Sequence, residues 1–352
     1  MPGAMIMPTL IAHGGAGGRA PASDRAARRR GILAAVQRGA EILRGGGSAL
    51  DAVVATVVAL ENDALFNAGY GSVLTTAGRV EMDAAVMTAT RSRHHDESAA
   101  IVNGARAAIG PSGRRRASTA AVEVHAGGVV LVSRVRNPIE LARAVMERTP
   151  HLLIGGAGAE RIARQAGLRI SRPSDLISQR ARERWLASRG ETGGLLPPNH
   201  CEADSHGTVG AVALDSRGDI AAATSTGGVS GKLPGRIGDS AIVGAGLFAN
   251  ASGGASATGE GEAILRVALC REAVMGLARN RAQAAAERAI AMVADATGAH
   301  AGVIVVDARG ELGYAHNAEV MELALFHPID GLRHRIVKPL TMTARQSRIP
   351  RS

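Results

Sequence analysis

The chain has 352 residues, 46% of them hydrophobic and 20% charged, which excludes a largely disordered polymer and leaves material for a sizeable core. Aromatic residues are only 2% while glycines number 45, so the core must be built from small aliphatic side chains, which argues against a stacking platform for single-stranded nucleic acid. The net charge of +10 is carried almost wholly by dispersed arginines, with no helix-turn-helix, zinc-finger or RNP-like pattern to organise them. A solvated basic surface and no nucleic-acid partner are therefore expected. Cys201 and Cys270 make neither a disulfide framework nor a metal spacing. No apolar run of about twenty residues and no convincing secretory start are found, so a cytoplasmic protein without a membrane partner is expected.

A short strand, Thr9–Ala12, runs into HGGAGG (His13–Gly18), followed by a helix from Asp24 to Leu43 closed by Gly45–Gly47. Ser48 and Asp51 read as an N-cap and its N3 partner, opening a helix through Leu60. Leu65–Ser72 (LFNAGYGS) is a loop and Met82–Met87 a buried strand. Residues 88–125 lose any clean period and read as a surface excursion with one short helix around Ala99–Ala108. Strand pattern returns at Gly127–Arg134, then a helix over Asn137–Glu147 entered through Pro138, then helices over Ala159–Gly167 and Pro173–Arg189. Residues 191–207 are a linker of Gly, Pro and polar residues. Beyond it come strand, turn and strand (TVGAVALD, SRGD, IAAATST), a Gly-rich stretch over Gly244–Gly261, helices Glu262–Arg279 and Ala282–Ala296, and a strand at Gly302–Asp307. Turns are expected at Ser216–Asp219 and Ala308–Glu311. Strands and helices cluster separately, which indicates antiparallel sheets covered by helices rather than repeated βαβ units.

Three constellations compete for the chemistry. HGGAGG lacks both the GxGxxG spacing and a Walker lysine, so it reads as a tight backbone turn rather than a nucleotide loop. His94 and His95 beside Asp96 and Glu97 lack any metal spacing, and a solvated loop is the expected reading. The stretch Ser205–Gly261 differs, because a threonine there opens a strand directly after a structureless linker. Cut before Thr208, the chain would present a hydroxyl nucleophile and a free α-amine, whose ordinary pKa of about 7.7–8 suits a base near neutrality.

At this point a resemblance is plain. The motifs IAHGGAG (Ile11–Gly17), LFNAGYGS, EMDA (Glu81–Ala84), NPIELARAVMERTPH (Asn137–His151), HGTVGAVALD (His206–Asp215), AATSTGG (Ala222–Gly228), KLPGRIGDS (Lys232–Ser240), GAG (Gly244–Gly246) and ATGEGE (Ala257–Glu262) run in order. Together they resemble the plant-type L-asparaginase/isoaspartyl aminopeptidase family of N-terminal nucleophile hydrolases.

The resemblance implies self-cleavage between Gly207 and Thr208, with Thr208 as nucleophile toward L-asparagine and β-aspartyl peptides. It makes Thr226 the hydroxyl that orients Thr208, Arg236 and Asp239 the clamp on the substrate's α-carboxylate and α-ammonium, and Thr258 with Gly259 the oxyanion hole. Asn67 would position water or substrate. A sodium ion is implied on main-chain oxygens of Leu60, Glu61, Asp63, Phe66, Ala68 and Tyr70, with no cofactor for the chemistry itself. The implied fold is α+β, a four-layer αββα sandwich spanning residues 1–352 as one domain. Its two fragments would be 1–207 and 208–352, assembled as a dimer of αβ heterodimers. Segment 88–125 departs from the family pattern, being a connection of roughly forty residues where ordinary loops are far shorter. It is expected to be a surface insertion or a stretch whose sequence has been scrambled at the gene level, and either bears on packing beside the active site and on maturation. The alternatives are a glycosylasparaginase-like hydrolase and an uncut, non-catalytic relative.

Overall fold

A computed structural model describes residues 6–91, 122–188 and 207–340. In chain order its first part holds β1 (Thr9–Gly17), α1 (Ala22–Arg44), α2 (Ala49–Glu61), β2 (Met82–Arg91), β3 (Val122–Val132), α3 (Pro138–Arg148), β4 (Leu153–Gly155), α4 (Gly156–Gln165) and α5 (Gln179–Ser188). After the linker come β5 (Val209–Leu214), β6 (Ile220–Thr226), β7 (Leu247–Asn250), β8 (Gly253–Gly259), α6 (Gly261–Val267), α7 (Leu269–Gly276) and α8 (Ala282–Thr297). The last strands are β9 (Ala301–Asp307), β10 (Leu312–His316), β11 (Val320–His327) and β12 (Gly331–Val337).

One sheet has eight strands in the order β12-β11-β1-β5-β6-β2-β3-β4, and the other has four in the order β10-β9-β8-β7. Pairing is antiparallel except between β3 and β4, which matches the α+β expectation. Because side chains alternate along a strand, each central strand feeds two cores. Leu10, Ala12, Ala211, Ala213, Ala221 and Ala223 join a cluster with Ile32 and Val36 of α1, Val53 and Val57 of α2, and Ile139 and Val145 of α3. Their neighbours Ile11, Val212, Leu214, Ile220 and Ala222 turn the other way, onto Leu247, Ala249, Ile304 and Val306 of the second sheet. A third cluster seats Ile264, Leu269, Val274 and Ile290 of α6–α8 against Ala255, Ala257, Val303 and Val305. Strands buried on both faces read as continuous small apolar runs, which is why alanine dominates them.

Several expectations are corrected. HGGAGG does not turn: β1 continues through Gly17, with a register shift against β11 between His13 and Ala16. Gly15 takes φ +111° there, a conformation that favours glycine. β2 extends to Arg91 and β3 begins at Val122, so both ends of segment 88–125 are strand, paired as Thr88↔His125 and Arg91↔Val122. The helix expected around Ala99–Ala108 and the His94–Glu97 cluster lie outside the described residues.

The Gly-rich stretch Gly244–Gly261 contains the β7–β8 hairpin. Its glycines are there for close packing: a Cβ at Gly254 would lie 2.8 Å from Val212 Cγ1 on the opposing sheet. The helix expected over Glu262–Arg279 breaks at Ala268, which is left-handed at φ 50°, ψ 51°. Similarly, Pro173–Leu176 forms a separate 3-10 turn ahead of α5. The Ser48 cap forms as expected, accepting the Asp51 N–H at 3.0 Å while its own hydroxyl donates to the Asp51 carboxylate at 2.6 Å.

Candidate active site

β5 and β6 are joined by the expected tight turn, and their register pairs Val209 with Ser225. Thr208, one residue before β5, is thereby brought beside Thr226 at the end of β6, and Asp83 of β2 pairs with Thr226 from the other side. A cavity of about 260 Å³ opens here, and Gly207, Thr208, Thr226, Arg236, Asp239 and Gly259 all line it. Six of the residues singled out in the sequence, spread over some fifty positions, thus share one wall.

The contact made by Thr208 is unexpected. Thr208 is 7% exposed, and its Oγ1 lies 3.2 Å from Oγ of fully buried Ser240. Thr226 Oγ1 instead accepts the Gly228 N–H at 2.9 Å. Thr258 sits just behind: its Oγ1 accepts the Ala16 N–H at 3.1 Å, which leaves its own proton to donate. Thr258 packs so tightly on Gly207 that a Cβ there would lie 2.5 Å from its Oγ1.

Asp239 is buried, and its Oδ2 has no hydrogen-bond partner among the described residues. Burial pushes its carboxyl up to about 7, against the opposing pull of its own backbone N–H and of Arg236. Arg236 does not hydrogen-bond Asp239. Its Nε and Nη2 donate to the two carboxylate oxygens of Glu262 at 2.9 and 2.7 Å, a partner not anticipated from the sequence. The remaining guanidinium N–H groups are left for another acceptor.

Asn67 lies behind the wall. Its Nδ2 donates to Gly228 O at 2.6 Å, its Oδ1 accepts Val73 N–H at 3.0 Å, and its carbonyl accepts Gly227 N–H at 3.0 Å. Its Nδ2 and its main-chain carbonyl thus hold the Gly227–Gly228 turn, while its Oδ1 holds the Val73 N–H.

Supporting charges tie the motifs together. Buried Lys232 donates to the carbonyl of Glu81 at 2.7 Å, with Asp83 as its electrostatic partner, so EMDA and KLPGR meet in space. Arg28, also buried, donates to Glu322 at 3.2 Å, to Gly14 O at 2.9 Å and to Leu65 O, and lies over the Phe66 ring. It fixes the glycine part of β1 against the Leu65–Ser72 loop. His13 was not foreseen as part of this region. Its Nε2 meets Ser256 Oγ at 2.9 Å, and burial drops it to about 3, with the Thr208 backbone opposing, so it is a neutral imidazole. The one legible signal was a histidine closing an apolar strand.

Glu61 is likewise buried, and burial pushes it up to about 8 despite hydrogen bonds from Ser225 Oγ at 2.6 Å, Asn137 Nδ2 at 3.0 Å and Ile139 N–H at 3.0 Å. Two nearby glycines lie tight against main-chain oxygens. A Cβ at Gly71 would meet Phe66 O and Asp63 O, and one at Gly69 would meet Glu61 O. No group of three or more His, Cys, Asp or Glu suited to a metal occurs among the described residues.

Comparison with known proteins agrees with this assembly. The model of the Asparaginase_2 family, described as asparaginase, matches residues 6–106 and 119–330. A Mus musculus protein named isoaspartyl peptidase/L-asparaginase is 38% identical over 304 residues, covering 86% of this chain and 82% of the relative. A Xenopus laevis protein of the same name is 35% identical over 308 residues, covering 87% and 88%. A Pyrobaculum calidifontis protein named plant-type L-asparaginase is 39% identical over 331 residues, covering 90% and 95%.

Proposed function

The chain belongs to the Asparaginase_2 family, and from that premise we propose that it is a self-processing amidohydrolase acting on L-asparagine and on β-aspartyl (isoaspartyl) peptides. The observation that carries this reading is the Thr208 hydroxyl at the wall of a small cavity shared with Arg236, Asp239 and Gly259. Cleavage before Thr208 would free an α-amine there, and that amine would take the Oγ1 proton as Oγ1 adds to the substrate's side-chain carbonyl. The tetrahedral oxyanion would be met by the Thr258 hydroxyl and the Gly259 N–H. The C–N bond then breaks, ammonia or the peptide's amine leaves with the proton, and water hydrolyses the resulting β-aspartyl ester to aspartate and free Thr208.

The clamp follows from charge. A buried carboxylate with an unpartnered oxygen suits an ammonium, so Asp239 takes the α-amino group. Arg236, held rigid by Glu262, offers its spare N–H donors to the α-carboxylate. Both demands select a free α-amino acid end and leave the side-chain amide at Thr208. Thr226 orients the nucleophile from β6, and Asn67 supports it through the Gly227–Gly228 turn.

We further infer a single domain built from fragments 1–207 and 208–352, folded as a four-layer αββα sandwich. The reading is supported by apolar clusters that sit between the sheets and under the helices on either side. A sodium ion on the main-chain oxygens of Leu60, Glu61, Asp63, Phe66, Ala68 and Tyr70 fits the carbonyls that lie tight against Gly69 and Gly71, since hard cations favour oxygen ligands. It would brace the loop that carries Asn67. Assembly as a dimer of αβ heterodimers completes the proposal, and light scattering of the processed protein tests it.

Intact mass and N-terminal sequencing of the purified protein test the central reading, with two fragments expected, the second starting at Thr208. Thr208→Ala is expected to remain one uncut chain and to lose ammonia release from asparagine by roughly 10³-fold or more. Retained ammonia release by that variant would refute the assignment.

A further inference from the structure

Self-cleavage poses a problem that turnover does not. In the uncut chain the nitrogen of Thr208 is an amide, so it cannot orient or deprotonate Oγ1, and some other group must hold the hydroxyl for attack on Gly207. Two hydroxyls of this wall are differently placed for this. Ser240 Oγ lies 3.2 Å from Thr208 Oγ1, with both residues buried, whereas Thr226 Oγ1 accepts the Gly228 N–H at 2.9 Å and makes no hydrogen bond with Thr208 Oγ1 among the described residues. We infer that Ser240 is a further catalytic residue, holding the Thr208 hydroxyl for self-cleavage, while Thr226 serves chiefly in turnover. This inference rests on the self-processing reading above.

Ser240 is well fixed for the task. Its carbonyl accepts the Thr224 hydroxyl from within β6 at 2.5 Å, and the preceding carbonyl, Asp239 O, accepts N–H groups from Ile242 at 2.8 Å and Gly246 at 3.1 Å. Gly246 packs against its Cα so closely that a Cβ there would lie 2.6 Å away. The hydroxyl is thus aimed by backbone on both sides, not by its own rotamer alone. Either hydroxyl can donate in this pair, and with Thr208 O–H as donor Ser240 fixes the threonine rotamer and polarises the bond.

On the other side, Gly207 is wedged between β1 and β8. A Cβ at Gly15 would lie 2.6 Å from Gly207 N, and one at Gly207 would lie 2.5 Å from Thr258 Oγ1. Oγ1 adds to the Gly207 carbonyl carbon, the C–N bond breaks, and the nitrogen departs as the Thr208 amine with the proton that Oγ1 gave up. Water then hydrolyses the ester, leaving a carboxylate on Gly207 and restoring the hydroxyl.

Full-length wild type, Ser240→Ala and Ser240→Thr would be made by cell-free synthesis, with cleavage followed by intact mass against time. The cleaved fraction of each would be assayed for kcat and KM on asparagine. Ser240→Ala is expected to cleave roughly tenfold slower, as for one lost hydrogen bond made in the transition state, with a smaller fall in kcat once cleaved. Ser240→Thr, which keeps the hydroxyl, is expected to recover most of the cleavage rate. Thr226→Ala should show the opposite split, losing more in kcat than in cleavage.

A merely structural role for Ser240 would lower both rates together. That outcome, or cleavage of Ser240→Ala at the wild-type rate, overturns the inference. Should the alanine variant fail to fold, Ser240→Cys retains the volume with a weaker hydrogen bond, and wild-type cleavage by it overturns the inference equally. A wild type that never cleaves, or cleaves and releases no ammonia, instead fails the proposed function itself.

Discussion

Asp239 shows how a single residue can trade stability for binding. Burial raises its carboxyl from the ordinary 3.8 to about 7, so the folded chain holds a proton that the unfolded chain has released across that interval. Its favourable contribution is therefore complete below about pH 4 and lost as pH rises through about 7. Above that the carboxylate is charged and buried, which on the proposed clamp suits a substrate ammonium. Asp239→Asn should raise Tm relative to wild type at pH 8, with the gain shrinking toward pH 4, as thermal unfolding at the two pH values would show. The same variant should raise KM for asparagine by roughly 30-fold or more, since a buried charge pair with the substrate is lost. An equal Tm difference at both pH values would mean that the carboxyl is not protonated in the folded chain. His13 works with the opposite sign: burial lowers it from 6.5 to about 3, so its contribution is present above 6.5 and lost on acidification.

At the scale of an element, β1 carries more than its hydrogen bonds. It lies between β11 and β5, and past its irregularity it presents Gly15 to Gly207. Gly15→Ala would place a methyl 2.6 Å from Gly207 N on a backbone at φ +111°, so either strand or scissile peptide must move. A stability cost of about 1–3 kcal/mol and slower self-cleavage are expected, measurable by denaturant unfolding and by mass against time. Cleavage at an unchanged rate would show that β1 does not set the position of Gly207. The β7–β8 hairpin is the complementary case. Gly253, Gly254, Ala255, Ser256 and Ala257 carry no β-branched signal, and the hairpin is held by what it packs against, Val212 and Ile220 on one side and Leu277 on the other.

For the whole molecule, strand order decides what cleavage can do. The eight-stranded sheet interleaves the two fragments: β1, β2, β3 and β4 precede the linker, while β5, β6, β11 and β12 follow it. β1 is hydrogen-bonded between β11 and β5, and β2 pairs with β6, so three seams of the sheet join one fragment to the other. Cutting one peptide at Thr208 breaks none of them. The processed fragments should therefore elute together in size exclusion, run as two bands on a denaturing gel, and separate in solution only in denaturant. Fragments that part without denaturant would contradict this sheet order.

The local parts of this protein were legible in its sequence. The Ser48–Asp51 cap, the β5–β6 hairpin and its turn, and a threonine opening a strand after a patternless linker are each set by neighbours within a few positions. The order of motifs placed Thr208, Thr226, Arg236 and Asp239 in one chemical argument before any fold was known, and all four line one cavity. What the sequence left open was adjacency across long separations. Ser240 on Thr208, Glu262 on Arg236 and His13 beside the Thr208 backbone depend on which strands lie side by side. Composition also hid the continuation of β1 through its glycines and the break at Ala268. Local propensity is a few tenths of a kcal/mol per residue, whereas burying an apolar side chain is about 1.5–3 kcal/mol, so at weak positions packing decides. Turns, caps and a threonine opening a strand after the linker were determined by the chain itself; the partners that meet the Thr208 hydroxyl were decided only when two sheets closed around it.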